Sequence, residues 1–285
     1  MIIIRSAERL ASYLEKSTRE GRSIGFVPTM GALHEGHLAL IRRALDETDL
    51  AVASVFVNPT QFNDPRDFEK YPVTVEKDIA MLEAAGCDIL FLPSVTEIYP
   101  SGTQSARSYD LGYLETILEG AHRPGHFQGV CQVVDRLLEI TNPHKLFMGR
   151  KDYQQCMVIS RLLELTGRNT RLVTCDTIRE PDGLAMSSRN QRLDPVQRQA
   201  ALAISRELLR IREQLAPGDL DGLKANSTAA LEADGFVVDY VEICHAKTLE
   251  PQHHWDGYTP LVALVAAFLG QVRLIDNMPI ASGGE

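Results

Sequence analysis

What this chain lacks narrows its chemistry before any motif is read. None of its five cysteines (Cys87, Cys131, Cys156, Cys175, Cys244) belongs to a Cys-x-x-Cys pair, which removes the usual zinc and disulfide-exchange motifs. An odd number of isolated cysteines among apolar neighbours reads as reduced core thiols of a cytoplasmic protein. No apolar run approaches the ~20 residues that cross a bilayer, and Ile2–Ile4 is too short for a secretion signal. Basic charge is scarce: 29 Lys and Arg stand against 38 Asp and Glu, a net charge of −9. That balance argues against nucleic acid and acidic membrane as partners, while leaving room for a local phosphate pocket. The Walker loop Gly-x-x-x-x-Gly-Lys-Ser/Thr, the dinucleotide fingerprint Gly-x-Gly-x-x-Gly and the zinc-protease helix His-Glu-x-x-His are all missing. No internal repeat or low-complexity segment occurs.

What remains is an ordinary globular composition, 44% hydrophobic and 24% charged over 285 residues, enough for one large domain or two smaller ones. Up to Cys175 the chain alternates strands and helices. Strands are expected at Ile2–Ile4, Ile24–Val27, Leu50–Val57, Asp88–Leu92, Lys145–Met148 and Thr170–Cys175. Helices are expected over Ala7–Glu20, from His37, over Thr74–Ala85, around Val130–Leu138, and up to Thr166. This rhythm implies an α/β fold, a Rossmann-like parallel sheet with helices on both faces. Ser94–Gln128 reads as a long irregular connection, either functional or concealing small elements. After Cys175 the rhythm changes to helices over Pro195–Leu215 and Leu220–Asp234, then strands over Val237–Cys244, Leu261–Phe268 and Val272–Asn277. The expected organisation is therefore a domain of residues 1–176 and a smaller α+β lid domain of residues 177–285, hinged between Asp176 and Met186. The tail Ser282–Glu285 is expected to fray.

One stretch organises the rest: Pro28-Thr29-Met30-Gly31-Ala32-Leu33-His34-Glu35-Gly36-His37. Pro28 should end a buried strand, the two glycines allow a tight turn and close backbone approach, and a helix should start at His37. Two histidines three residues apart thus sit where a strand feeds a helix, the position at which open α/β sheets bind ligands and helix N-termini favour anions. The residues alone fit either a phosphate site or an ordinary turn with surface histidines.

Three further groups lie at strand ends. Gly149-Arg150-Lys151-Asp152 precedes a helix, where Lys151 can reach a phosphate and Asp152 can act as a cap reciprocated by Gln155. Met186-Ser187-Ser188-Arg189-Asn190 suits a mobile phosphate clamp or a plain polar linker. Gln61, after the Leu50–Val57 strand, offers donor and acceptor to a hydroxy acid or caps its own loop. Tyr71, Arg123 and His126 are weaker candidates, with surface roles expected for each.

Together these blocks resemble the pantoate–β-alanine ligase (pantothenate synthetase) family. The Pro28–His37 stretch looks like its signature. Asn58-Pro59-Thr60-Gln61-Phe62, Lys151-Asp152-Tyr153-Gln154-Gln155 and Asp182-Gly183-Leu184-Ala185-Met186-Ser187-Ser188-Arg189-Asn190 match its other blocks in order, to about Asn277. His34–His37 is also similar to the His-x-Gly-His motif of class I aminoacyl-tRNA synthetases and nucleotidyltransferases, and Met186–Arg189 to their mobile loop. The family usually carries Glu where Arg150 stands, which puts nucleotide affinity in question. The resemblance implies that pantoate and ATP give pantoyl adenylate and pyrophosphate, and that β-alanine then gives pantothenate and AMP. It implies catalytic roles for His34, His37 (the proton donor), Lys151, Ser187, Ser188 and Arg189. ATP would meet Met30, Gly31, Ala32, Leu33, His34, Glu35, Gly36, His37, Gly149, Arg150, Lys151, Asp152, Ile178, Met186, Ser187, Ser188 and Arg189. Gln61 and Gln155 would bind pantoate, Mg²⁺ would ride on the phosphates, and the protein would be a homodimer. The rival expectations are a nucleotidyltransferase that keeps AMP in its product, a non-catalytic nucleotide binder, and an interaction protein.

Overall fold

The computed structural model describes residues 1–63, 65–103 and 107–282. Of the tail expected to fray, 283–285 lie outside the described residues. The chain divides into two compact units, Met1–Arg150 with Gln154–Thr177, and Lys151–Tyr153 with Ile178–Glu285.

The first unit runs β1 (Ile2–Ile4), α1 (Ala7–Arg19), β2 (Ile24–Thr29), α2 (Glu35–Glu47), β3 (Leu50–Val55), α3 (Pro65–Glu69), α4 (Val75–Ala84), β4 (Ile89–Phe91), α5 (Val95–Ile98), α6 (Leu118–His122), α7 (His126–Thr141), β5 (Lys145–Gly149), α8 (Tyr153–Thr166) and β6 (Arg171–Cys175). Its six strands form one parallel sheet in the order β1-β4-β3-β2-β5-β6, the fold class the strand–helix alternation predicts. Local signals set the helices. Ser6 Oγ accepts the Arg9 N–H of α1, which buries Ala7, Leu10, Leu14 and Ser17 at helical spacing. β3 is buried along its whole length, as a central parallel strand must be. On one face Val27, Ala51, Ala53, Val55 and Leu90 pack with Leu40, Ile41 and Ala44 of α2 and Leu82 of α4. On the other, α7 packs against β2 and α1.

Several boundaries differ from the sequence expectation. Pro28 does not end β2, which continues to Thr29. Thr29 O accepts the Phe56 N–H, so the polar groups of Thr29 face β3 and those of Pro28 face β5. The β2–β5 ladder pairs only Gly25 with Lys145 and Phe26 with Leu146, so the missing N–H breaks nothing. α2 begins at Glu35 rather than His37. Ser94–Gln128 contains α5, α6 and a 3₁₀ turn at Gly112–Glu115.

The second unit has α9 (Pro195–Ala200), α10 (Leu202–Gln214), β7 (Gly218–Asp219), α11 (Asp221–Ala233), β8 (Phe236–His245), β9 (His254–Trp255), β10 (Leu261–Leu269) and β11 (Val272–Ala281). The single helix expected over Pro195–Leu215 is two, parted at Ala201, where the Ile204 N–H bonds Ala201 O three residues back. β11-β10-β8 form an antiparallel sheet. Its buried Ala263, Val265, Ala267, Val241 and Ile243 share a core with Ile204, Leu208, Ile211 and Leu231 of α10 and α11.

Candidate active site

The strand order fixes where a ligand belongs. From β2 the chain steps outward through β3 and β4; from β5 it steps the other way to β6. The order therefore reverses between β2 and β5, and ligands of open α/β sheets bind at the carboxyl ends of the strands at such a point. The segment after β2 is Met30–His37, and the residues closing β5 are Gly149 and Arg150.

The turn after β2 is held in an unusual shape. Gly31 has φ +82° and Ala32 φ +49°, both left-handed, a conformation that favours glycine. A Cβ on Gly31 would stand 2.9 Å from Asp78 Oδ2 and 3.0 Å from Val55 Cγ1. Asp78, 1% exposed on α4, stabilises the turn: Oδ2 accepts the Ala32 N–H at 3.0 Å and Oδ1 the Leu33 N–H at 2.8 Å. Its Oδ1 also accepts the Thr74 hydroxyl at 3.1 Å. The turn delivers His34 as the N-cap of α2. The rings of His34 and His37 lie 4.1 Å apart. His37 Nδ1 accepts the His34 backbone N–H at 3.3 Å. A backbone N–H only donates, so in the neutral ring the proton sits on Nε2.

Gln61 stands beside this turn, its Nε2 3.1 Å from Met30 Sδ. It closes a 3₁₀ turn, Pro59–Gln61, capped by Asn58. Its carbonyl meets His126 Nδ1 at 2.8 Å, and His126 Nε2 meets Arg123 Nη1 at 3.1 Å. Arg123 only donates, so Nε2 accepts and Nδ1–H donates to Gln61. His126 is 6% exposed and Tyr71 7% exposed. The surface roles expected for these two are thus corrected: His126 props the Gln61 turn, and Tyr71 packs edge-on against Phe62 at 5.8 Å.

In the second unit, Ile178 and Met186 belong to a short antiparallel hairpin. Met186 N–H donates to Ile178 O at 3.0 Å, and Arg179 bridges Ala185. Arg179 ties the hairpin to β11 through Asp276, at 2.6 and 3.0 Å, and through Asn277 O. The neighbouring Asn277 Nδ2 donates to Lys151 O at 2.7 Å. Two adjacent residues of β11 therefore grip both the Lys151 backbone and the hairpin leading into Ser187-Ser188-Arg189. Ser187 Oγ accepts the Arg189 N–H at 3.3 Å, and Ser188 is buried.

A family profile described as pantoate-beta-alanine ligase matches residues 2–279. A pantothenate synthetase of Cytophaga hutchinsonii is 44% identical over 283 residues, covering 98% of this chain and 99% of its own. The chain belongs to the pantoate–β-alanine ligase family. The crystal structure of the Thermus thermophilus pantothenate synthetase superposes with TM-score 0.91 at 41% identity, over 99% of this chain and all of that one. That of the Francisella tularensis ligase, complexed with β,γ-ATP and β-alanine, gives TM-score 0.83 at 38% identity, over 99% of both chains.

For a member of this ligase family, the structure brings Met30, His34, His37 and Gln61 together. Gly149 and Arg150 lie at the end of β5, where Arg150 N–H bonds Cys175 O and its guanidinium pairs with Asp176 at 2.9 Å. Glu35 pairs with Arg42 on the surface of α2. Gln155 lies half-buried on α8, while its neighbour Gln154 is a structural residue: its amide bonds Glu119 N, Leu114 O and Ile117 O. Sequence reasoning missed Asp78, Arg179, Asp276 and Asn277, and gave Asn58 no role. Only the place of Asn58 beside Gln61 in its block could have signalled one. Among the described residues no group of three or more His, Cys, Asp or Glu side chains gathers to hold a metal.

Proposed function

We propose that this protein is an ATP-dependent ligase that joins pantoate to β-alanine through a pantoyl adenylate. The observation that carries the proposal is the His34–His37 pair on a turn whose Met30 meets Gln61, at the switch point of a chain that matches this ligase family over its length. A pantoate carboxylate oxygen attacks the α-phosphorus of ATP and pyrophosphate leaves. The β-alanine amine then attacks the acyl carbon, losing a proton, and AMP leaves. The first step sets an anion against an anion, so it needs positioning and neutralised charge. His37 Nε2–H would donate to the transferring phosphoryl group, with His34 beside it. Lys151, Ser187, Ser188 and Arg189 would supply the remaining donors to the phosphates. The backbone of Met30 to His37, together with Gly149, Arg150, Asp152, Ile178 and Met186, would bind the rest of ATP. Gln61 and Gln155 would bind pantoate. Mg²⁺ would arrive with ATP, held by phosphates and water, as this ion commonly is. The protein would act in the cytoplasm as a homodimer.

The test is product release. Pyrophosphate should form with ATP and pantoate alone, and free AMP only once β-alanine is added. AMP retained in a stable product would instead identify a nucleotidyltransferase. His37→Ala should lower single-turnover pyrophosphate release about 10²–10³-fold with an unchanged circular dichroism spectrum. Gln155→Ala should weaken pantoate more than ATP.

A further inference from the structure

We infer that Asn58 and Tyr99 are positioning residues that lock the Gln61 side-chain amide in one orientation, so that Gln61 offers the acid substrate an N–H donor and not a carbonyl oxygen. This rests on the proposed role of Gln61 in binding pantoate. An isolated glutamine can turn either end of its amide to a ligand. Here the choice is made three residues back, by a side chain that itself has no choice. Asn58 is 1% exposed. Its Oδ1 lies 3.4 Å from the Thr60 backbone N, and its Nδ2 lies 3.2 Å from Gly129 O. A backbone N–H only donates and a backbone carbonyl only accepts, so flipping Asn58 would break both contacts and bury like against like.

Tyr99 reinforces that orientation, its hydroxyl donating to Asn58 Oδ1 at 2.8 Å. Thr60 Oγ1 adds a third donor at 3.1 Å. With Oδ1 committed inward, Asn58 Nδ2 spends its second hydrogen on Gln61 Oε1 at 3.2 Å. Flipping Gln61 would set two NH₂ groups face to face. Its Nε2 is therefore turned to the Met30 side, where the partner at 3.1 Å is a thioether sulfur, a weak acceptor. A hydroxyl or carboxylate oxygen of a small acid is a better acceptor and would replace that contact. The arrangement thus selects an acceptor oxygen at this point of the substrate and disfavours a cationic or purely donating group there.

The test uses the full-length protein and compares Tyr99→Phe, Asn58→Asp, Gln61→Ala and the double variant Tyr99→Phe/Gln61→Ala, with KM for pantoate, KM for ATP and kcat measured for each. Tyr99→Phe removes one hydroxyl and should raise the pantoate KM about three- to tenfold, with the ATP KM held within about twofold. Asn58→Asp cannot donate, so Gln61 turns its NH₂ to the new carboxylate and its oxygen to the substrate; the pantoate KM should rise by more than about tenfold. In the Gln61→Ala background Tyr99→Phe should have no further effect, because nothing remains to orient. An unchanged pantoate KM in Tyr99→Phe, or losses that simply multiply in the double variant, overturns the relay and leaves Gln61 as a substrate ligand. An unchanged pantoate KM in Gln61→Ala overturns both. Should Asn58→Asp fail to fold, Tyr99→Phe and the double variant decide alone.

Discussion

A single carboxylate, Asp78, holds the turn on which both histidines depend. Each of its oxygens takes one backbone N–H of that turn. Asp78→Asn keeps the shape but leaves one acceptor, so an NH₂ must face a backbone N–H. The expected cost is about 1–3 kcal/mol of stability, read from the urea midpoint, with slower pyrophosphate release from the displaced turn. Nothing in the sequence couples position 78 to positions 32 and 33; on the page it is one more polar residue of an amphipathic helix. The cysteines, by contrast, behave as the composition suggests. Burial pushes the Cys131 and Cys244 thiols up to about 12 and Cys87 up to about 11, and Cys156 is buried. A raised thiol pKa keeps the unreactive protonated form across neutral pH. Burial raises the pKa of the partly exposed Cys175 as well, so iodoacetamide at pH 8 should label Cys175 slowly and the other four more slowly still in the native protein, and all five quickly in denaturant, with the modified residues identified by mass spectrometry.

Between elements, close approach decides the geometry. α7 lies so near the Pro59–Gln61 turn that a Cβ on Gly129 would stand 2.3 Å from Thr60 O. Gly129→Ala should push that turn away from α7, raising the pantoate KM at least about fivefold while the helix itself gains from alanine's propensity. A second clamp joins β11 to the hairpin Ile178–Met186 and to Lys151 through Asp276 and Asn277. Asn277→Ala should raise the ATP KM more than the pantoate KM, since it frees the Lys151 backbone. The periodicity of β11 marks Asp276 and Asn277 only as polar interruptions of an apolar strand. That they hold two distant motifs depends on side-chain direction at two adjacent register positions, which pattern cannot give. Pro28 taught the opposite lesson: the rule that proline ends a strand failed because the neighbouring strand had already stopped pairing there.

For the whole molecule, net charge sets what the surface will refuse. At −9 the protein should run unshifted with duplex DNA in a gel assay even at low salt, where a phosphate-backbone binder is at its strongest. A retarded band would contradict the view that its cationic groups serve a small phosphate ligand and not a polymer. Among the described residues no helix is long and apolar enough to cross a membrane, in keeping with the absence of long apolar runs. The alternation of buried strands and amphipathic helices was legible because burial against a common sheet repeats at fixed periods along the chain. The same holds for the change of rhythm after Cys175, where an antiparallel sheet replaces the parallel one.

The sequence by itself determined the α/β architecture, the place of His34, His37 and Gln61 at strand ends, and the membership of the family, because these depend on local order along the chain. Only the tertiary structure decided which residues hold them: Asp78 under the turn, Asn58 and Tyr99 behind Gln61, His126 beneath its carbonyl, and Asn277 on Lys151. Apart from the Asn58–Gln61 bond, which spans three residues, those contacts join residues more than forty positions apart, and their direction depends on where helices and strands pack and leaves no period in the sequence.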